Sequence, residues 1–201
     1  MKTTAALNTT DPKTMENAID AHVQAVTSLR RDLPLLSNIA AAIIDAFRAR
    51  RRLYVFGNGG SAADSQHIAA ELLGRFKRDR RALPATALTV DTSTLTAVGN
   101  DLGFENVFKR QVEALVSPGD VVWALSVSGA SPNVLAALAQ AKKQGAFIVG
   151  FTSRRGVEMT RLCDLCLLAD ADADAGDRVQ EVHEIAYHLV CERVEAAFAE
   201  A

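Results

Sequence analysis

Cysteine, tryptophan and proline are scarce in this chain of 201 residues, which carries three, one and five of them. Three cysteines (Cys163, Cys166 and Cys191) are too few and odd in number for a disulfide framework, so they read as reduced thiols. Cys163 and Cys166 do form a C-x-x-C, but within LCDLCLLA, a run that reads as buried strand rather than the exposed helix start a redox pair needs. They are read as small hydrophobic fillers, and with no second pair at metal spacing a cysteine zinc site is set aside. No uncharged apolar run is long enough to span a bilayer. Charge of one sign does not dominate either: 22 Lys and Arg stand against 24 Asp and Glu, a formal charge of −2. That balance argues against nucleic acid and membrane partners and leaves any anionic ligand to local geometry. Neither a G-x-G-x-x-G nor a G-x-x-x-x-G-K-[ST] occurs, so a dinucleotide or P-loop nucleotide site is not expected. The opening MKTTAALNTTDPK lacks the apolar core of a signal peptide; residues 1–13 are read as a flexible polar tail and the protein as cytoplasmic.

What is present is ordinary globular material, 49% hydrophobic and 23% charged, enough for one domain over residues 14–201. From about Thr14 to Arg50, Ile19, Val23, Val26, Leu29, Leu33, Leu36, Ile39, Ile43 and Phe47 recur at helical intervals, with a break at Pro34. This apolar stripe exceeds what one small sheet needs, so it is expected to bury against partner copies. Five short apolar runs follow: Leu53–Gly57, Ala85–Val90, Asp120–Ser126, Ala146–Phe151 and Leu165–Ala169. Helical patterns separate them near Ser61–Phe76, Thr92–Val98, Val107–Leu115, Pro132–Gln144 and Val157–Leu162, and a long helix closes the chain at about Asp177–Phe198. Strands that are apolar throughout and alternate with helices predict a five-stranded parallel sheet in a three-layer α/β sandwich, preceded by an N-terminal helical arm.

In such sheets ligands bind beyond the carboxyl ends of the strands. Two of those ends are unusual: Gly57-Asn58-Gly59-Gly60-Ser61, and Ser126-Val127-Ser128-Gly129-Ala130-Ser131. Glycines admit close backbone approach, each loop leads into a helix N-terminus, and the serines add hydroxyl donors. One such loop is as well explained by tight turns and helix caps; two in one short domain predict a phosphate site.

His67 and Glu71 lie four residues apart on the helix after the first loop, and Gln180, Glu184 and His188 share a stripe on the last helix, with Asp177 and Glu181 close by. Two chemistries fit. The pairs can converge on a divalent cation, where nitrogen and oxygen donors suit zinc best and admit iron, nickel or cobalt. Alternatively Glu71 and His188 act as general base and acid without metal, as isomerisation of an α-hydroxy carbonyl requires. His183 is read as structural.

The string GNGGSAADSQHIAAELLGRF (Gly57 to Phe76) closely resembles the signature of phosphoheptose isomerases in the sugar isomerase (SIS) superfamily. AVGNDLGFENVF (Ala97 to Phe108) resembles a loop of that family, SVSGASPNV (Ser126 to Val134) its serine-rich phosphate loop, and DRVQEVHEIAYHLV (Asp177 to Val190) its C-terminal helix. The resemblance runs from Thr14 to Phe198 and implies a SIS fold, which is flavodoxin-like. It implies isomerisation of sedoheptulose 7-phosphate to D-glycero-D-manno-heptose 7-phosphate, by enediol-type proton transfer, for bacterial surface heptose. It further implies metal contacts from His67, Glu71, Gln180 and His188 to one zinc or other divalent ion per subunit, and Glu71 and His188 as the proton-transfer pair. Substrate contacts are implied for Asn58, Gly59, Gly60, Asn100, Asp101, Ser126, Ser128 and Ser131, with Ser61, Val127, Glu71 and Gln180 completing the set. The implied assembly is a homotetramer with bundled N-terminal helices.

The sequence departs from the family pattern at Val127, where a threonine is usual, and at Ala130, where an asparagine is common. The segment ADADADAGDR before the last helix is also unusually acidic. Two alternatives share the same loops: a non-enzymatic SIS protein that associates with the replication initiator, and an isomerase or sensor of another sugar phosphate. The first group tends to lack the catalytic carboxylate and final histidine, whereas Glu71 and His188 are both present here. Function follows such a site rather than the fold.

Overall fold

A computed structural model describes residues 12–171 and 176–199. The expected N-terminal tail falls outside them except for Pro12 and Lys13, which are helical rather than tail, and residues 172–175 of the acidic segment also fall outside. Helix α1 (Pro12–Ser28) passes through a 3₁₀ turn (Leu29–Asp32) into α2 (Leu33–Arg48). Pro34 sits in the first turn of α2, where its missing N–H costs no hydrogen bond, so the expected break is a helix start.

Strand β1 (Leu53–Gly57) leads into α3 (Gly60–Leu73) and then the short β2 (Ala85–Ala87). Helices α4 (Thr92–Leu102) and α5 (Lys109–Leu115) precede β3 (Val121–Ser126). The chain continues through α6 (Pro132–Lys143), β4 (Phe147–Ser153), α7 (Val157–Thr160) and β5 (Leu165–Ala169) to α8 (Gly176–Ala196). The five strands form one sheet in the order β2-β1-β3-β4-β5, and every pairing is parallel. β1 and β3 are neighbours in register, Gly57 opposite Leu125, so the glycine and serine loops leave the same edge of the sheet side by side.

Side chains alternate between two apolar cores. Leu53, Val55, Trp123, Leu125, Val149 and Phe151 join residues of α2, α3 and α8, whereas Tyr54, Phe56, Val122, Ala124 and Ile148 join residues of α5 and α6. Burial on both faces explains why these strands read as unbroken apolar runs. Among the described residues no helix is long and apolar enough to cross a membrane.

Three elements differ by three residues or more from the sequence reading. The second strand ends at Ala87 instead of Val90: Leu88 N–H still reaches the Val55 carbonyl, and the chain then turns. Helix α3 stops at Leu73 instead of Phe76 because the next N–H groups are taken elsewhere. Those of Phe76, Lys77 and Arg78 donate to the buried Glu195 carboxylate at 2.8, 2.7 and 3.1 Å. Helix α4 runs on to Leu102 and is ended by Gly103, so Asn100 and Asp101 are helical residues. Cys163 precedes β5 and Cys166 lies in it; both are half-buried, and neither forms a disulfide.

Candidate active site

The serine loop is organised by its own hydroxyls. Gly129 N–H donates to Ser126 Oγ at 3.2 Å and Ala130 N–H to Ser128 Oγ at 3.2 Å, while Ser126 Oγ and Ser131 Oγ lie 3.3 Å apart. A hydroxyl that accepts from the backbone keeps its own proton to donate, so these contacts aim donors rather than consume them. Gly129 makes the turn at φ 63°, and a Cβ there would meet Gly156 Cα at 2.3 Å. The loop is tied to the glycine loop by a reciprocal amide pair: Asn58 Nδ2 donates to Asn133 Oδ1 at 2.9 Å, and Asn133 Nδ2 to Asn58 Oδ1 at 2.8 Å. Between the loops lies a cavity of about 230 Å³ lined by Asn58, Ser61, Ser126, Val127, Ser128 and Ser131, with Leu125 as its apolar floor. A neutral, donor-rich hollow beside two helix N-termini has the chemistry to receive a phosphate-sized anion.

One helical turn or two along α3 stands the second cluster. Glu71 is 6% exposed, and its Oε1 lies 3.4 Å from His67 Nε2 and 3.3 Å from His188 Nε2. Burial raises the Glu71 pKa above the usual carboxylate range, a rise opposed by the Cys191 thiol and by the two imidazoles. A raised carboxylate that can still ionise is matched to proton abstraction near neutral pH. Tyr187 OH meets His67 Nδ1 at 3.0 Å, and the Phe76 ring stacks on His188 at 5.6 Å between centroids, inclined by 13°. Both imidazoles are thus held with Nε2 toward Glu71.

Gln180 joins the two clusters. Its Nε2 donates to Asp64 Oδ1 at 3.2 Å, and its amide lies so close to Gly60 that a Cβ there would sit 2.1 Å from Oε1. Asp64 is buried, which raises its pKa, and its Oδ2 has no hydrogen-bond partner. His67, Glu184 and His188 form a group able to hold a metal ion, each offering one ligand atom within 4.8 Å of the others.

The expected residues therefore fall into a phosphate hollow (Asn58, Ser61, Ser126, Val127, Ser128 and Ser131), a histidine cluster (His67, Glu71 and His188) and a bridge (Gly60 and Gln180). Asn100 and Asp101 join none of these. Both are exposed at the end of α4, and Asn100 Nδ2 donates to Asp101 Oδ1 at 2.7 Å. Glu181 turns away to pair with His22 of α1. His183 is fully buried, with Nε2 3.2 Å from the Thr152 carbonyl and its pKa pushed down to about 4 by burial, so it is a neutral core residue. Sequence reasoning passed over Asp64, Asn133 and Tyr187. Asp64 carried a signal, since it lies seven residues, two turns, before Glu71. Asn133 and Tyr187 carried none, because their partners are distant in sequence.

Comparison with known proteins agrees with this geometry. The SIS domain family matches residues 15–153. The phosphoheptose isomerase of Bradyrhizobium sp. is 49% identical over 176 residues, 86% of this chain and 88% of that one. The phosphoheptose isomerase of Pelobacter propionicus is 50% identical over 171 residues, 84% of this chain and 89% of that one. The solved structure of the phosphoheptose isomerase of Neisseria gonorrhoeae superposes with a TM-score of 0.86 at 32% identity, over 92% of this chain and 98% of that one. A shared sheet and identity at about half of the aligned positions make one conclusion: the chain belongs to the phosphoheptose isomerases, a family of aldose–ketose isomerases within the SIS domain proteins.

Proposed function

We propose that the protein interconverts sedoheptulose 7-phosphate and D-glycero-D-manno-heptose 7-phosphate, supplying heptose for the bacterial surface. The observation that carries this reading is the placement of one buried carboxylate oxygen, Glu71 Oε1, between two imidazole nitrogens at 3.4 and 3.3 Å. The phosphate would lie among Ser126, Ser128, Ser131 and the helix start at Gly60 and Ser61, with Asn58, Gly59 and the Val127 backbone shaping the hollow. Glu71 takes the proton from the hydroxyl-bearing carbon of the bound sugar and returns it to the neighbouring carbon. His188 gives a proton to the carbonyl oxygen and then takes one from the hydroxyl on the neighbouring carbon, so the enediol forms and collapses to the isomeric carbonyl without free charge.

Nitrogen and carboxylate donors converging at this spacing fit a divalent cation, zinc first. His67, Glu71, Gln180 and His188 are the residues the family resemblance assigns to it, one ion per subunit. When bound, the ion would polarise the substrate's oxygen atoms. Asn100 and Asp101, exposed at the end of α4, keep the substrate role that the family resemblance gives them. We propose a homotetramer on the family resemblance and on α1, where Met15, Ile19 and Val23 form a stripe 65%, 61% and 59% exposed. A phosphorylated sugar and three unpaired thiols support a cytoplasmic setting. The direct test incubates purified protein with sedoheptulose 7-phosphate and follows aldose formation with and without a chelator. No aldose in either arm overturns the reading.

A further inference from the structure

The C-x-x-C of the sequence takes no part in the isomerase site, and the fold brings a third sulfur to it. Gly150 is the middle residue of β4, and a Cβ there would lie 2.5 Å from Cys163 Sγ, 3.0 Å from Met159 Cε and 3.1 Å from Cys166 Sγ. Three sulfur-bearing side chains, from α7, the turn after it and β5, thus converge over one glycine. Glycine weakens a strand interior and marks a close approach there. Cys191 shows what a small core filler looks like, with 0% exposure, whereas Cys163 and Cys166 are both partly open to solvent. Met159 and Cys163 belong to the core shared with α5 and α6, on the opposite face of the sheet from α3, α8 and the histidine cluster.

We infer that Cys163, Cys166 and Met159 form a binding site for a soft monovalent cation, copper(I) first. The donor set selects it, since thiolate and thioether sulfurs suit copper(I). Zinc asks for four donors drawn from thiolate, imidazole and carboxylate. Among the described residues the two thiols form no group with a further His, Cys, Asp or Glu ligand, which leaves Met159 as the third donor. The thiols are arranged to lose their protons in turn. Cys163 beside it, and the Thr160 hydroxyl at 3.8 Å, hold the Cys166 pKa below the ordinary thiol value against the effect of burial. Cys166 therefore presents the first thiolate. Cys163, whose pKa is raised by Cys166 and by burial, releases its proton to solvent as the cation binds, as a coordinating thiol does. Two thiolates and a monovalent cation leave one negative charge, and Lys142 of α6, whose ammonium favours the Cys163 thiolate, stands near to balance it.

The test reduces the purified full chain under anaerobic conditions and titrates it with copper(I) supplied as its bicinchoninate complex. Two signals are read: the loss of the complex's colour and the ultraviolet charge-transfer absorption of copper–thiolate bonds. The wild type is expected to take up copper(I) and show that absorption. Cys163→Ser and Cys166→Ser are each expected to weaken binding by more than the roughly 10–100-fold that losing an outer partner of a ligand costs. Met159→Leu, which nearly conserves volume, is expected to weaken binding less and to keep the thiolate absorption. Circular dichroism and thermal melts check that each variant is folded. Should a serine variant fail to fold, copper X-ray absorption of the wild type decides in its place: sulfur ligands alone are expected, and nitrogen ligands overturn the proposal. A wild type that takes up no copper(I), or wild-type affinity in both serine variants, overturns it as well. Wild-type affinity in Met159→Leu overturns the three-sulfur set.

Discussion

The role proposed for Glu71 rests on one oxygen atom, which faces two imidazole nitrogens. Replacing that oxygen's charge while keeping its volume, as in Glu71→Gln, is expected to lower turnover of sedoheptulose 7-phosphate by ~10²–10⁴-fold with the fold intact, measured by initial rates beside a thermal melt. His183 makes the opposite prediction, about stability. Its folded pKa is about 4 because it is buried, against 6.5 when unfolded. Between those values the unfolded chain takes up a proton that the folded chain refuses, so stability is full above about pH 6.5 and falls as the pH drops toward 4. The loss amounts to at most about 3 kcal/mol. Urea unfolding at pH 7 and pH 5 measures it, and a His183→Leu variant should show a flatter profile. In the sequence these two residues look alike, each a titratable group on an amphipathic helix. Glu71 was separable by its i, i+4 partner His67, whereas the distinction between His183 and His188 rests on which side of α8 meets β4, as the Thr152 contact shows.

At the scale of elements, the serine loop depends on a backbone conformation that only one residue type takes cheaply. Gly129→Ala would place a methyl 2.3 Å from Gly156 Cα at φ 63°, costing at least about 1–2 kcal/mol in the left-handed conformation alone. The expected outcome is a KM raised tenfold or more and a nearly unchanged far-ultraviolet circular dichroism spectrum. Strands β1 and β3 were legible because a strand buried on both faces writes itself as an apolar run. The loops were legible because glycine and serine cluster where chain reversal and anion contact coincide. The ends of β2, α3 and α4 were not. Asn58 meets Asn133 across 75 residues, and Phe76 meets Glu195 across 119, and such pairings leave no local periodicity. The site was therefore readable as two separate helical pairs, while Gln180 reaching Gly60 and Tyr187 holding His67 emerged only from the fold.

The whole molecule exposes more apolar surface on α1 than a solitary chain would. Met15, Ile19 and Val23 repeat every four residues on one exposed face, and Leu33, Ile185 and Leu189 add further exposed apolar side chains on α2 and α8. Contiguous patches of this kind mark interaction surfaces. Ile19→Glu is expected to shift the protein to smaller species in light scattering at micromolar concentration; a wild type that is already a stable monomer would remove the proposed tetramer. Composition gave the first hint of this surface, since the apolar stripe outruns the sheet it could cover.

Glu195 ties these scales together in time. It collects the N–H groups of Phe76, Lys77 and Arg78. Arg80, whose Nε stands 3.7 Å away, reaches back to the Glu71 carbonyl, and Phe76 in turn backs the His188 ring. A ribosome that has added Ser131 has already made both loops, yet the latch that backs His188 is translated some sixty residues later. Both loops are thus made well before the helix that covers one face of the sheet beneath them. Until the final helix leaves the exit tunnel and docks, one face of the sheet lacks Val179, Val182, Ala186, Val190 and Val194 of its core, so messages cut short before that helix are expected to yield unstable chains that also lack His188.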